Sequence, residues 1–185
     1  MASIAGGSWV RRSSVVDNGE RTTPPMTGDE HTTLAAWLDF QRHTLMLKCE
    51  GLDENSLRSA AAPPSALTLQ GLVQHLTEVE RHWFRRVVAR QEAPPLYGPA
   101  PEPGGHDGGF VLVDGVSFAD AAAAWSAEVD TARAVCAGAS LDATSAFMGT
   151  EVSLRWIYVH MIGEYARHNG HADLLRERVD GATGV

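Results

Sequence analysis

The amino-acid sequence predicts an all-α protein, a four-helix bundle in which one long crossover connects the second and third helices. Apolar residues recur at helical spacing in four long segments. Glycine and proline are concentrated between these segments, above all in residues 93–116. No run of alternating apolar and polar residues competes with this pattern, so strands are not expected.

The composition is that of an ordinary globular domain and excludes several classes of function. The chain has 185 residues, 44% hydrophobic and 21% charged, which favours a single domain with its own core. The net charge is −8 and no basic run is present, so nucleic acid is not an expected partner. No apolar run suggests a membrane span or a secretory signal, and the cytoplasm is the expected compartment.

Residues 1–25 differ from the rest of the chain. They are rich in Ser, Gly, Arg and Thr and show no apolar period. We predict a flexible N-terminal extension, which the domain formed by residues 26–185 does not need for its stability.

The first two helices are predicted from their N-terminal residues and apolar stripes. Residues 27–30 fit a capping box for the first helix. After a connector over residues 53–67, Thr68 is expected to cap a second helix that runs to about Gln91. The apolar stripe of this second helix is Leu69, Leu72, Val73, Leu76, Val79, Trp83 and Val87.

The segment between the second and third helices, residues 93–116, is too long for an ordinary helix–helix loop, and is either a lid or a solvent-exposed crossover. Ser117 and Asp120 then begin a third helix that ends at Gly138. Cys49 and Cys136 form no CxxC pair, and each is interpreted as a buried free thiol.

The last helix, Ser153 to Val179, has an apolar stripe that polar residues interrupt. The stripe is Leu154, Ile157, Met161, Glu164, His168, His171, Leu175 and Val179. Carboxylates are rarely buried unless they are paired or bind a metal. Either the helix turns to solvent at Glu164, or Glu164 and His168, one turn apart on one face, belong to a metal site.

A third ligand for such a site must come from another helix, and His75 is the candidate. It lies on the core-facing flank of the second helix, although a lone histidine there is more often a core residue than a ligand. His82 and His171 each share a helical line with a predicted ligand and are reserve candidates. Two imidazoles and one carboxylate suit Zn²⁺, Ni²⁺, Mn²⁺ or Fe²⁺, and leave coordination positions open.

Two segments carry a resemblance to a known superfamily. Residues 67–84, LTLQGLVQHLTEVERHWF, and residues 160–177, HMIGEYARHNGHADLLRE, resemble the DinB/YfiT-like metalloenzymes. Within that superfamily the chain is most similar to the actinobacterial mini-circle protein branch. The resemblance extends over about residues 26–184 and is specific in these two helices.

The resemblance implies a bundle with up-down-down-up order and a divalent metal, zinc first among the expected ions. Family members hold this metal by a histidine on the second helix and a His-x-x-x-His pair on the fourth. His75 and His168 match, whereas Glu164 replaces the first histidine of the pair, as it does in mycothiol-dependent maleylpyruvate isomerases. His171 matches a position that is not a ligand, so it is expected next to the ligands.

For function, the resemblance implies an S-transferase or isomerase that uses a low-molecular-weight thiol, here mycothiol, on a small electrophile. Arg86 and Arg167 are candidates to bind the carboxylate of that thiol, with Arg81 and Arg85 nearby in sequence; the alternative for each is a solvated surface role. A metal-dependent hydrolase, a non-haem iron oxygenase and a non-catalytic stress or interaction protein with a vestigial metal site are the competing functions. A homodimer is left open.

Overall fold

The computed structural model describes residues 21–98 and 108–184, and this part of the chain is mostly helical, as predicted. The helices are α1 (Glu30–Cys49), α2 (Glu54–Leu57), α3 (Leu69–Glu80), α4 (Phe118–Cys136) and α5 (Leu154–Asp180), and two strands are β1 (Thr144–Phe147) and β2 (Thr150–Ser153). Residues 1–20 of the predicted extension lie outside the described residues. Within the described ranges, no helix has the length and apolar character needed to cross a bilayer.

Three of the four predicted helix starts are confirmed by side-chain caps. The Thr68, Ser117 and Ser153 side chains accept hydrogen bonds from the backbone N–H groups of Gly71, Asp120 and Trp156. The start of α1 was predicted wrongly. Asp29, not Thr27, caps this helix, because its carboxylate reaches the N–H of Thr32 at 2.9 Å.

The second predicted helix is not a uniform α-helix to Gln91. It is α-helical as α3 and continues as a π-helix from Arg81 to Val88. Arg81 and Arg85 in this wider segment both bind the buried carboxylate of Glu128 on α4. The π-helix therefore coincides with the place where charged side chains join α3 to α4.

A β-hairpin precedes α5, where the sequence had indicated only a loop. Its strands pair antiparallel, with Thr144 opposite Ser153 and Phe147 opposite Thr150. The two turn residues, Met148 and Gly149, both have positive φ (47° and 79°), as a tight hairpin turn requires. Strand β2 leads directly into α5, so the hairpin fixes where the last helix begins.

A polar network lies inside the otherwise apolar core. Glu80 is fully buried and accepts two hydrogen bonds from Arg42, from Nε at 2.8 Å and from Nη2 at 2.7 Å. It also accepts one from the Tyr165 hydroxyl at 2.8 Å, and that hydroxyl in turn accepts from Trp125 Nε1 at 2.8 Å. These four residues belong to α1, α3, α5 and α4, so the network joins all four long helices.

Candidate metal centre

Glu164, His168 and His75 come together between α5 and α3. Their side chains are buried, with 8%, 4% and 3% of their surface exposed. The stripe of α5 therefore does not turn to solvent at Glu164. One potential ligand atom from each residue lies within 4.8 Å of the other two, so the three side chains could bind one ion.

The rotation of α5 is fixed by the residues that follow each of its two predicted ligands. Tyr165, next to Glu164, donates to Glu80 in the core network. Asn169, next to His168, donates from Nδ2 to the carbonyl of Gln41 at 3.0 Å and to its Oε1 at 2.8 Å. These contacts with α1 and α3 hold the Glu164 and His168 side chains toward His75.

Glu164 Oε1 lies between the two histidines. It is 3.1 Å from His168 Nε2 and 3.5 Å from His75 Nε2. The hydrogen bond with His168 is the main cause, and the hydrogen bond with His75 the second cause, that hold the pKa of the Glu164 carboxyl well below its usual range. The carboxyl group is therefore ionised. The other oxygen, Oε2, is 3.1 Å from the guanidinium of Arg167.

Each of the two histidines has one ring nitrogen that faces away from the centre, and the contacts of that outer nitrogen show which nitrogen faces the centre. His75 Nδ1 is 2.9 Å from the carbonyl oxygen of Gly108. A carbonyl can only accept a hydrogen bond, so Nδ1 carries a proton, and Nε2, which faces Glu164, is the nitrogen that would bind an ion. His168 Nδ1 is 3.2 Å from His171 Nδ1, which gives His168 a polar partner on its outer side as well.

This arrangement fits a divalent cation. Lone pairs of the neutral imidazoles and a carboxylate oxygen repel each other unless a positive charge lies among them, either a metal ion or protons on the rings. Two nitrogens and one oxygen are an open ligand set for zinc and for other divalent first-row metals. The Gly108 carbonyl is of the type that orients metal-bound imidazoles, and His171 occupies the corresponding position beside His168.

His171 lies beside the three central residues. Burial, followed by the charge of the neighbouring His168, lowers the pKa of His171, which favours its neutral ring, and Nδ1 of that ring can accept a hydrogen bond from the N–H of His168 Nδ1. His82, the other reserve candidate, has its ring 5.1 Å from Trp83 and 5.8 Å from Phe147. The structure thus brings His171 to the centre and places His82 in an aromatic cluster further along the π-helix.

Of the four arginines considered from the sequence, Arg167 is the one that contacts the central residues. Its side chain is 64% exposed. Arg86 donates to the carbonyl of Ala93 at 2.6 Å and lies 3.4 Å from Glu78. Arg81 and Arg85 are ion-paired with Glu128, as described above.

Sequence reasoning missed two contributors to this centre, Gly108 and Phe110. The Phe110 ring stacks on the His75 ring, with centroids 3.9 Å apart and an interplanar angle of 16°. It also lies 5.5 Å from the ring of His168. The only available signal was the Gly-Gly-Phe string in the crossover, and such a string has no periodicity that points to a neighbour.

The buried His–Glu–His cluster between two of its helices makes this chain a helical protein with a candidate metal centre. The family model of the mycothiol-S-transferases matches residues 33–181, which include all three central residues. The chain therefore belongs to the mycothiol-S-transferase family, and the predicted DinB-like relationship is confirmed. None of the curated proteins compared with the chain matches it.

Proposed function

We propose that this protein is a metal-dependent S-transferase that joins a small thiol, in the first place mycothiol, to a small electrophile. The observation that carries the proposal is the buried convergence of His75, Glu164 and His168 in a chain of the mycothiol-S-transferase family. We further propose that the four long helices form the up-down-down-up bundle of DinB-like proteins. The polar network that joins α1, α3, α4 and α5 supports this arrangement.

The residues that would hold the metal are His75 and His168 through Nε2, and Glu164 through a carboxylate oxygen. A divalent ion bound there supplies a Lewis acid that favours the thiolate form of a thiol, and the thiolate is the nucleophile. In the transfer, a sulfur–carbon bond forms as the bond from that carbon to its leaving group breaks. The thiol proton passes to water, and the leaving group departs with the bonding electrons.

The residues around the centre divide it into a charged side and an apolar side. Arg167 is largely exposed and contacts the outer oxygen of Glu164, so it can also attract an anionic group of an incoming thiol. Phe110 covers His75 and approaches His168. The three central side chains are buried, and burial strengthens electrostatic interactions with a reacting thiol.

Metal binding is the first test of the proposal. Purified protein should contain about one divalent ion per chain, and His168→Ala should abolish stoichiometric binding because one of three ligands is lost. His160→Ala is the matched control, since it removes a histidine of the same helix two turns away. Undiminished metal content in His168→Ala would contradict the assignment.

Thiol binding is the second test. Mycothiol, bacillithiol and glutathione are added in turn to cobalt-substituted protein, and sulfur ligation is expected to add a charge-transfer band in the near ultraviolet. The metal-free protein should not bind the thiol. If no thiol changes the spectrum and an ester or amide is turned over, the protein is a hydrolase. Without metal and without turnover, a non-catalytic interaction protein is the better description.

A further inference from the structure

Residues 108–110, here named the strap, pack backbone-to-backbone on α3 beside the candidate metal centre. Gly109 has φ of +99°, and a Cβ atom added there would lie 2.7 Å from both N and Cα of His75. On the helix side, a Cβ at Gly71 would lie 2.6 Å from the Phe110 carbonyl oxygen. Both distances are too short for real atoms, so this contact exists only because glycine stands at both positions.

The strap contacts the His75 ring in two different ways. Its Gly108 carbonyl accepts a hydrogen bond from Nδ1 at 2.9 Å. Its Phe110 ring stacks almost parallel on the imidazole at 3.9 Å. The first contact selects the nitrogen that carries the proton, and the second restricts the plane of the ring.

We propose that the strap is the positioning element of the metal centre, because it holds His75 with Nε2 free to bind the ion. A free neutral imidazole prefers its proton on Nε2, which would block that atom. The Gly108 carbonyl reverses this preference, and Phe110 keeps the ring directed at Glu164 and His168. The inference rests on the metal site of the proposed function and adds residues to it that carry no ligand atom.

This role differs from that of a simple cover. A cover affects only the access of substrate, whereas a positioning element changes the affinity for the metal and the tautomer and orientation of His75 itself. Partners that orient metal-bound histidines typically contribute 10–100-fold to metal affinity. His168 already has His171 on its outer nitrogen, so in the described part of the chain the strap supplies the corresponding contact for His75.

The first experiment measures, by ¹⁵N NMR of metal-free protein at mildly alkaline pH, which ring nitrogen of His75 carries a proton. We expect His75 Nδ1 to carry a proton. An unprotonated Nδ1 would overturn the inference. Because no metal is present, this result does not depend on whether the protein is an S-transferase, and it remains informative if the wild type proves to bind no ion.

The second experiment compares Gly109→Ala with Gly115→Ala. Both glycines have positive φ (+99° and +78°), but a Cβ at Gly115 meets nothing within 4 Å. Gly115→Ala therefore introduces a comparable backbone strain without the collision with His75. We expect Gly109→Ala to lose the Nδ1 proton and to bind zinc about 10–100-fold more weakly in competition with a chelator, and Gly115→Ala to match the wild type. Equal behaviour of the two variants would refute the inference.

Phe110→Leu keeps the backbone of the strap and remains testable if Gly109→Ala does not fold. The variant should retain the proton on His75 Nδ1, since the Gly108 carbonyl is unchanged. Its zinc affinity should fall by a smaller factor than in Gly109→Ala, because only the plane of the ring is released. Wild-type affinity, or loss of the Nδ1 proton, would show that the strap does not act in the way described.

Discussion

Removal of the Arg42 guanidinium should destabilise this protein more than removal of any surface charge. Burial opposes the charge of Arg42, yet the charge and hydrogen bonds of Glu80 raise the pKa of its guanidinium further above the ordinary value. Arg42→Met leaves Glu80, which is fully buried, without its cationic partner. Breaking a buried ion pair in this way costs about 3–5 kcal/mol of unfolding free energy.

This loss of unfolding free energy can be converted into a change of melting temperature. One kcal/mol shifts Tm by about 2–4 °C in a chain of this size, so Arg42→Met should lower Tm by roughly 6–20 °C. Arg155→Met is the matched control. Arg155 also binds a carboxylate through two nitrogens, that of Glu30, but on the surface. Its Tm should change far less, because exposed ion pairs contribute little to stability.

The double variant Arg42→Met/Glu80→Gln separates two contributions to the loss of stability, that of the lost contacts and that of the unpaired charge. Glutamine is neutral and can still accept the Tyr165 hydrogen bond, so the double variant should recover at least half of the loss. Denaturant unfolding of the wild type, both single variants and the double variant gives the coupling free energy. Purely additive losses, or an Arg42→Met variant as stable as Arg155→Met, would refute the explanation by an uncompensated buried charge.

Two further predictions concern the histidine next to the centre and the cysteines. His171→Ala should weaken zinc binding about 10–100-fold, with substantial rescue by His171→Asn, whose side-chain oxygen can accept from His168 Nδ1; equal affinity of the alanine variant and the wild type would contradict this role. Burial raises the pKa of the Cys49 thiol to about 12 and also raises that of Cys136, so neither should react with an aromatic disulfide reagent until the protein is unfolded. Rapid labelling of the native protein would show that one thiol is accessible.

The helices whose apolar residues recur at helical spacing could be predicted from the sequence. The stripe of α5 placed Glu164 and His168 on one face, and the stripe of α3 placed His75 on the core side. The cap residues Thr68 and Ser117 were identifiable because each precedes the first apolar residue of its helix. Local pattern was sufficient in these elements, since both the helix and its buried face depend on contacts within a few turns.

The features that could not be predicted from the sequence depend on contacts between residues that are distant in sequence, or on very short elements. Strands β1 and β2 have four residues each, too few for an alternating pattern to stand out. Gly108 is 33 residues from His75, and only the packed structure reveals that its carbonyl meets the ring. Arg86 was considered as an anion ligand because it is close to His75 in sequence, but its contacts with Glu78 and Ala93 lie outside the candidate centre.

Tyr165 and Asn169 have a consequence for how the chemistry of this protein can change. Each is the immediate neighbour of a predicted ligand, and each is bound to a different part of the core. The orientation of α5 thus depends on positions 165 and 169, while positions 164 and 168 carry the predicted metal ligands. We therefore expect that a single mutation such as Glu164→His can change the donor set of the candidate centre without loosening the helix that presents it, because the contacts of Tyr165 and Asn169 stay in place.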